Sequence, residues 1–134
     1  LLEAKGVPPL AQMLEANASL TAISLQQNDL GDEGAQRLAT ALKANRGVTQ
    51  LGLAKNEVGL EGAKALAEAL GANATLASLD LAFNDVGSEG AKLIFEPIKA
   101  RALPSSLYFR ENRLDRATKA QLKEEAGSLI KLFL

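Results

Sequence analysis

The sequence of 134 residues contains no cysteine and no histidine. Without them the chain cannot build a Ser-His or Cys-His catalytic pair, an imidazole or thiolate metal site, or a disulfide framework. No apolar run approaches the roughly 20 residues that a membrane span requires, and no signal-peptide pattern opens the chain. We therefore expect a cytoplasmic protein that is not an enzyme and that uses no cofactor or metal.

The charge is nearly balanced, with a formal net charge of −1. Nothing in it favours binding to nucleic acid or to an anionic membrane. The charges are unevenly distributed, however. Residues 1–98 carry 7 basic and 12 acidic side chains, a net of −5, whereas residues 99–134 carry 8 and 4, a net of +4. The two ends of the chain therefore differ in sign.

One stretch, residues 48–75, is repeated along the chain. Its first half alternates apolar and polar residues, as a half-buried strand does, and its second half spaces apolar residues for one face of a helix. Copies follow at a step of 28 residues, which brings four asparagines into register: Asn28, Asn56, Asn84 and Asn112. A single strand and helix cannot bury their apolar sides alone, so the pattern predicts stacked repeats.

The pattern Leu-x-x-Leu-x-Leu-x-x-Asn, followed by a helix, resembles the leucine-rich repeat. Its continuation, Asn-x-Leu/Val-Gly-x-x-Gly-Ala and then Leu-x-x-Ala-Leu, resembles the ribonuclease-inhibitor-like subclass, which also occurs in NOD-like receptors and in the Ran GTPase-activating protein. The resemblance covers about residues 7–122. It implies an α/β solenoid with a parallel β-sheet on the concave side and α-helices on the convex side. It implies little about function, because the subclass serves many partners.

We interpret residues 1–134 as a single domain that begins with a strandless half-repeat. Its predicted units are residues 1–19, then the repeats 20–47, 48–75 and 76–103, and a last repeat with C-terminal cap at 104–134. The predicted parallel strands lie at 22–25, 50–53, 78–81 and 106–109. Because the chain begins in register midway through a unit, we expect further repeats upstream.

The helix boundaries follow from proline and capping residues. Because proline is tolerated in a first helical turn, the first helix is predicted at about Pro9 to Ala16. Pro97 is predicted to kink the fourth helix or to end it near Glu96. The last helix is predicted at about 116–132, with Asp115 as its N-cap.

The repeated asparagines and glycines have a structural interpretation. The four asparagines should form a ladder that bonds loop backbone. Two glycine columns also recur. The first should provide positive φ or close approach of the backbone and consists of Gly31, Gly59 and Gly87. The second should let each helix start close against its neighbours and consists of Gly34, Gly62 and Gly90. Two glycosylation sequons begin at Asn17 and Asn73. Both asparagines occupy the helix-ending position of the repeat, which favours a structural role in the following turn over glycosylation.

Solenoids bind partners through the concave sheet. We predict a protein-binding surface there because the last strands and the adjacent loops present large polar and aromatic side chains. The candidate residues are Asp80, Phe83, Tyr108, Arg110, Glu111, Lys55 and Gln26. Tyrosine and arginine often anchor interfaces. The alternative is that Phe83 and Tyr108 only cover each other across neighbouring strands.

The sequence thus favours a protein-binding module or scaffold. Two alternatives are a structural subunit of a larger assembly and a regulator of a small GTPase, the latter by resemblance alone. The first strand has no partner on one side, which favours weak self-association through that edge. The last six residues, 129–134, are apolar beyond the needs of a cap. They are expected to fold back over the core or to dock elsewhere.

Overall fold

The computed structural model describes residues 2–103 and 105–134. Within them five helices alternate with five short strands. In chain order these are α1 (Glu3–Ala16), β1 (Ala22–Ser24), α2 (Gly31–Ala44), β2 (Gln50–Gly52), α3 (Leu60–Ala72), β3 (Ser78–Asp80), α4 (Gly87–Ala100), β4 (Ser105–Tyr108), α5 (Arg116–Ala126) and β5 (Ile130–Phe133). The predicted start of the last repeat, Pro104, lies outside the described residues.

The strands form one parallel sheet in the order β1-β2-β3-β4-β5. Between β1 and β4 the register follows the repeat, so that Leu51 lies opposite Leu79 and Leu79 opposite Leu107. Parallel neighbours require a crossover connection, and here each crossover contains one helix. The predicted α/β solenoid is confirmed, and the four predicted strands lie within one residue of their expected ends.

The repeated apolar positions form one continuous core. Leu51, Leu79 and Leu107 of the central strands are no more than 2% exposed. Their counterpart on β1, Ile23, is only partly buried, because no strand of the described chain lies outside it. Burial of this kind contributes about 1.5–3 kcal/mol for each large aliphatic side chain. The repeat therefore stabilises the fold by stacking.

The asparagine ladder is present and is structural. The Asn56 Oδ1 accepts from the backbone N–H of Asn28 at 3.0 Å, and its amide donates to the carbonyls of Leu25 at 2.7 Å and Leu53 at 3.0 Å. Asn84 repeats this arrangement one step along, since its Oδ1 accepts from the backbone N–H of Asn56 at 3.0 Å. Each asparagine thus joins two consecutive loops.

A second asparagine column ends the helices and contains both sequons. Asn73 is 1% exposed, and its amide nitrogen donates to the carbonyls of Leu42 at 2.7 Å and Asn45 at 2.9 Å. The Oδ1 of Asn17 accepts from the backbone N–H groups of Ser19 and Leu20. Both side chains form the turn that leads into the next strand, as the sequence interpretation predicts.

The glycine columns serve the two predicted purposes, but positive φ is not found throughout the first column. Gly59 has φ of −103°, and an added Cβ there would lie 3.3 Å from the Asp32 carboxylate. Gly31 and Gly87 have φ values of +59° and +72°, in the left-handed region where side chains are strained. At Gly62 a Cβ would lie 2.7 Å from the Asp32 carboxylate and 3.0 Å from the Ala35 Cβ. At Gly90 it would lie 2.9 Å from the Ala63 Cβ, so these two glycines let α3 and α4 pack closely on the preceding helix, whereas the atoms nearest to Gly34 belong to Leu30.

The first helix is longer than predicted, because α1 begins at Glu3 and passes through both Pro8 and Pro9. Each proline removes one helical hydrogen bond. The carbonyls that lose a donor are those of Ala4 and Lys5, in the first turn of α1, and water can reach this turn because Ala4 is half-buried and Lys5 is exposed. Val7 and Leu14 are buried against the core, so packing outweighs the missing bonds.

Of the two outcomes predicted for Pro97, a kink or the end of the fourth helix near Glu96, the second is wrong, because α4 continues to Ala100. The carbonyl that loses its donor is that of Leu93, whose side chain is 38% exposed. Water can therefore hydrate that side of the helix. Phe95 fills the core at 1% exposure, which gives this irregular helix a packing role.

The largest correction concerns the C-terminus. The last helix ends at Ala126, well before the predicted 132, and Gly127 follows it with φ of +58°. Beyond this turn, residues 130–133 form β5, which pairs in parallel with β4. The apolar C-terminal residues thus cover the end of the sheet, one of the two alternatives expected from the sequence. Leu129, the first of these six residues, remains 43% exposed.

Candidate functional site

The side of the sheet opposite the helices is here called the concave face. In β2, Leu51 is buried on the helix side, whereas Gln50 is exposed on the concave face. The strand register places one residue of each strand in a row across this face. We call this the central row, and it consists of Ser24, Gly52, Asp80, Tyr108 and Phe133.

Two aromatic rings of the central row are stacked. The centroids of Tyr108 and Phe133 are 4.3 Å apart, with an interplanar angle of 5°. Phe133 remains 45% exposed. Among the described residues Tyr108 stacks on the ring from β5, whereas Phe83 lies beside Lys55 on the rim.

Asp80 is the acidic member of the central row. Its Oδ1 accepts from the backbone N–H of Ala82 at 2.9 Å. No ion pair of the described residues includes this carboxylate. Beside it a shallow depression of about 370 Å³ crosses the first three strands, and three predicted site residues line it: Gln26, Asp80 and Tyr108.

Phe83 and Lys55 lie on the rim of the sheet. The Lys55 Nζ is 5.4 Å from the Phe83 ring centroid, within cation–π range. Phe83 remains 46% exposed. A second depression of about 530 Å³ is lined by Phe83 together with Arg110 and Glu111. The predicted residues therefore form two neighbouring groups.

The residue before each ladder asparagine has a left-handed backbone. We call these residues the rim column, and they are Gln27, Lys55, Phe83 and Glu111, with φ of 55° or 56°. Their conformation is held by hydrogen bonds between repeats, such as that from the Lys55 N–H to the Ala82 carbonyl at 3.0 Å. Left-handed φ is uncommon for residues other than glycine. Strain of this kind often accompanies binding sites.

Sequence reasoning missed Phe133 and Lys131, which β5 adds to the concave face. Lys131 lies opposite Ser106 and Phe133 opposite Tyr108. Two signals were available in the sequence. Gly127 is a typical helix-ending residue, and Ile130, Lys131 and Leu132 alternate apolar and polar residues as a strand does, although Phe133 breaks the alternation.

The site has no feature of a metal centre, because no cluster of acidic residues in residues 2–103 and 105–134 is suited to hold an ion. Among the described helices, none has the length and apolar character needed to cross a bilayer. The depressions of the concave face are broad and shallow. This shape suits the surface of another protein better than a small molecule, which proteins usually enclose in a deeper cleft.

Comparison with known proteins agrees with the observed architecture. A family model described as "Leucine Rich repeat" matches residues 16–39, 44–67 and 72–95, more than half of the chain. Among solved structures, one similar chain is "Leiomodin-1 Actin-Binding Site 2 (ABS2)", with a TM-score of 0.78 and 19% sequence identity. The similarity covers 92% of this chain and 77% of that one. No curated protein sequence is significantly similar to this chain.

Proposed function

This chain belongs to the leucine-rich repeat family, and we propose that it is a protein-binding module or scaffold whose partner docks on the concave face. One observation supports this proposal most. The Tyr108–Phe133 stack stands on the face that carries no helix, and one of its rings is 45% exposed. Aromatic side chains of this kind are enriched among the residues that dominate binding energy. The partner is a protein of unassigned identity.

The family membership supports this reading at a general level, since repeat solenoids present extended concave surfaces to other proteins. The solved neighbour is, by its title, an actin-binding site. At 19% identity that likeness concerns the fold, so actin is not carried over as the partner of this chain. The proposed site consists of the central row together with Gln26, Lys55, Phe83, Arg110 and Glu111.

We also propose the ribonuclease-inhibitor-like subclass, a cytoplasmic location and a non-catalytic role. The subclass is supported by the 28-residue step and by full helices of 13 or 14 residues in the matched repeats. A non-catalytic role is supported by the lack of histidine and cysteine in the sequence. Asp80 is moreover the only carboxylate in the described strands, so they contribute no pair of acids for proton transfer.

A second proposal concerns the edge of the sheet. Among the strands that the structure describes, β1 pairs with β2 alone, and its residues are exposed or half-buried. Such an edge is a template for pairing with another strand, so weak self-association of the isolated chain is expected. Light scattering over a concentration series tests this. A strict monomer with slow amide exchange throughout β1 would contradict it.

The concave face can be blocked with a matched pair of variants. At Gly52 a Cβ would meet the nearest atoms of Ser24 at 3.6 Å, an ordinary contact, so Gly52→Tyr should fold with its ring over the concave face. Gly71 lies on α3 on the opposite side and has nothing within 4 Å. Gly71→Tyr therefore adds the same side chain to the convex surface.

The experiment is capture of partners by the immobilised chain from a lysate of the source organism, with quantification by mass spectrometry. We expect to find a partner that both the parent and Gly71→Tyr retain. Gly52→Tyr should lower the affinity for this partner at least about tenfold, equivalent to about 1.4 kcal/mol. A partner that Gly71→Tyr removes, while Gly52→Tyr leaves it bound, would place binding on the convex side and refute the proposal.

A further inference from the structure

We propose that the central row contains a subsite for an arginine side chain of the partner. In this subsite the guanidinium lies between the Asp80 carboxylate and the free face of the Tyr108 ring, and the aliphatic stem lies over Gly52. The inference rests on the proposed protein-binding function and names the chemistry that the concave face selects. Three independent features of the row support it.

The first feature is the direction of the Tyr108 ring. Tyr108 lies between Asp80 on β3 and Phe133 on β5 in the strand register. One face of the ring is covered by Phe133, in a nearly parallel stack with centroids 4.3 Å apart. Because the two rings stack along the row, the other face of Tyr108 is directed back towards β3. An aromatic face therefore borders the space above Asp80.

The second feature is the state of the Asp80 carboxylate. The backbone N–H of Ala82 bonds its Oδ1 at 2.9 Å and so orients the side chain. No hydrogen bond of the described residues involves its Oδ2, and no ion pair of those residues includes the group. Two cations share the same face, Arg110 and Lys131, and neither forms an ion pair with Asp80 within the described chain. A carboxylate oxygen thus remains available to a ligand.

The third feature is the glycine beside the carboxylate. The φ of Gly52 is not in the left-handed region, and an added Cβ would make only ordinary contacts at 3.6 Å or more. The backbone therefore does not require glycine at this position. Its effect is to leave the depression of about 370 Å³ open over β2, with the polar side chains of Ser24 and Gln50 in its lining. This provides a channel for a long side chain that approaches Asp80.

Together these features match arginine better than other side chains. A guanidinium is planar, stacks on aromatic faces and can bond a carboxylate with several N–H groups at once. A lysine ammonium would satisfy the charge of Asp80 but would lack the flat surface that Tyr108 can cover. A neutral aromatic residue would fill the depression and leave the carboxylate oxygen without a donor. The row therefore selects for both shape and charge.

The direct test is an NMR titration of the full ¹⁵N-labelled chain with N-acetyl-arginine amide. The control ligand is N-acetyl-citrulline amide, which has nearly the same shape and no charge. We expect saturable shifts of the Gly52, Asp80 and Ala82 amides at millimolar concentrations. The citrulline compound should bind about five- to tenfold more weakly, because it lacks the charge on which both the ion pair with Asp80 and the cation–π contact with Tyr108 depend.

A pair of variants separates the subsite from general electrostatics. Asp80→Asn retains an oxygen that can accept from Ala82 N–H, so the loop should remain intact while the charge is lost. Asp85→Asn removes the same charge from the rim, where Asp85 pairs with Arg113 at 3.2 Å. We expect Asp80→Asn to abolish the preference for arginine over citrulline, and Asp85→Asn to preserve it.

The outcomes distinguish this inference from the function on which it rests. Equal binding of the two ligands, shifts confined to amides outside the central row, or no saturable shift at all would each overturn the arginine subsite. If Gly52→Tyr still removed the captured partner in that case, the concave face would remain the binding surface. Arginine binding at Asp80, with capture unaffected by Gly52→Tyr, would instead leave the subsite standing and refute the proposed function.

Discussion

Replacement of Asn56 by alanine tests the ladder at its most buried rung. Asn56 is 0% exposed. Its Oδ1 accepts from the backbone N–H groups of Asn28 at 3.0 Å and Leu30 at 3.4 Å, and its amide donates to the carbonyl of Leu25 at 2.7 Å. Alanine leaves these groups without their partner. A buried polar group left unsatisfied costs about 1–3 kcal/mol. The Leu30 N–H is buried, whereas water can reach the partly buried Asn28 N–H and Leu25 carbonyl. We therefore expect a total loss of about 1–3 kcal/mol.

The matched control is Asn28→Ala at the first rung. Asn28 is only partly buried, and it accepts from the Leu2 N–H at 2.9 Å and donates to the carbonyl of Gln26 at 3.0 Å. Because water can replace both partners, we expect a loss below about 1 kcal/mol. Urea denaturation monitored by circular dichroism gives the free energy of unfolding of both variants, and the comparison requires that the slope of the transition is unchanged.

Asn56→Asp adds a pH signature to this test. Aspartate can still accept from Asn28 and Leu30, but as a carboxylate it cannot donate to the carbonyls of Leu25 and Leu53. Burial should raise the pKa of the new carboxyl group in the folded state above its unfolded value. The stability of Asn56→Asp relative to the parent is therefore highest at acidic pH, and it falls as pH rises through the pKa of this carboxyl group in the folded state. Equal losses for Asn56→Ala and Asn28→Ala, or a flat pH dependence for Asn56→Asp, would refute the ladder as a source of stability.

Three further predictions use the same denaturation assay. Leu79→Ala should cost about 2–5 kcal/mol because Leu79 is 1% exposed in the middle of the stack, whereas Leu93→Ala, on the outer face of α4, should cost below about 0.5 kcal/mol. Gly62→Ala should destabilise the protein because its Cβ would meet Val58 at 2.8 Å, whereas Gly71→Ala should stabilise it by about 0.4–1 kcal/mol. A change in the free energy of unfolding of the same sign for both variants would contradict the packing argument. The Thr118 backbone N–H holds the pKa of Asp115 below its ordinary value. The parent should therefore be more stable to urea than Asp115→Asn at neutral pH, and this difference should disappear as pH falls through the folded pKa of Asp115.

The repeat could be predicted from sequence because its signals are periodic and mutually consistent. Leu51 and Leu79 occupy the same position in successive copies, and that position can be buried only by stacking. The ladder at Asn56 followed from the same register. Such columns are independent of the exact ends of the helices, which is why the fold was predictable in outline.

The ends of the chain were harder to predict because local rules and packing disagree there. Pro8 and Pro9 argue against a helix by propensity, yet burial of Val7 and Leu14 stabilises one through them. At the other end the helical pattern continues past Gly127, and the shorter spacing of the last unit hides β5 from a 28-residue template. The pairing of Tyr108 with Phe133 depends on that strand and was inaccessible for the same reason. The concave face carries no such periodic signal, because side chains on an exposed face are free of the constraints that make a core periodic.

The direction of the ladder bonds has a consequence for how the chain acquires its structure on the ribosome. The loop at Asn28 receives its acceptor from Asn56, and the loop at Asn56 receives its own from Asn84. A nascent chain emerges with its N-terminus first, so each of these loops must wait for the asparagine of the following copy. During synthesis the ordered part of the chain therefore ends about one repeat before the repeat that has just emerged. If the ribosome pauses within a repeat, the loop of the preceding repeat lacks its acceptor until translation resumes.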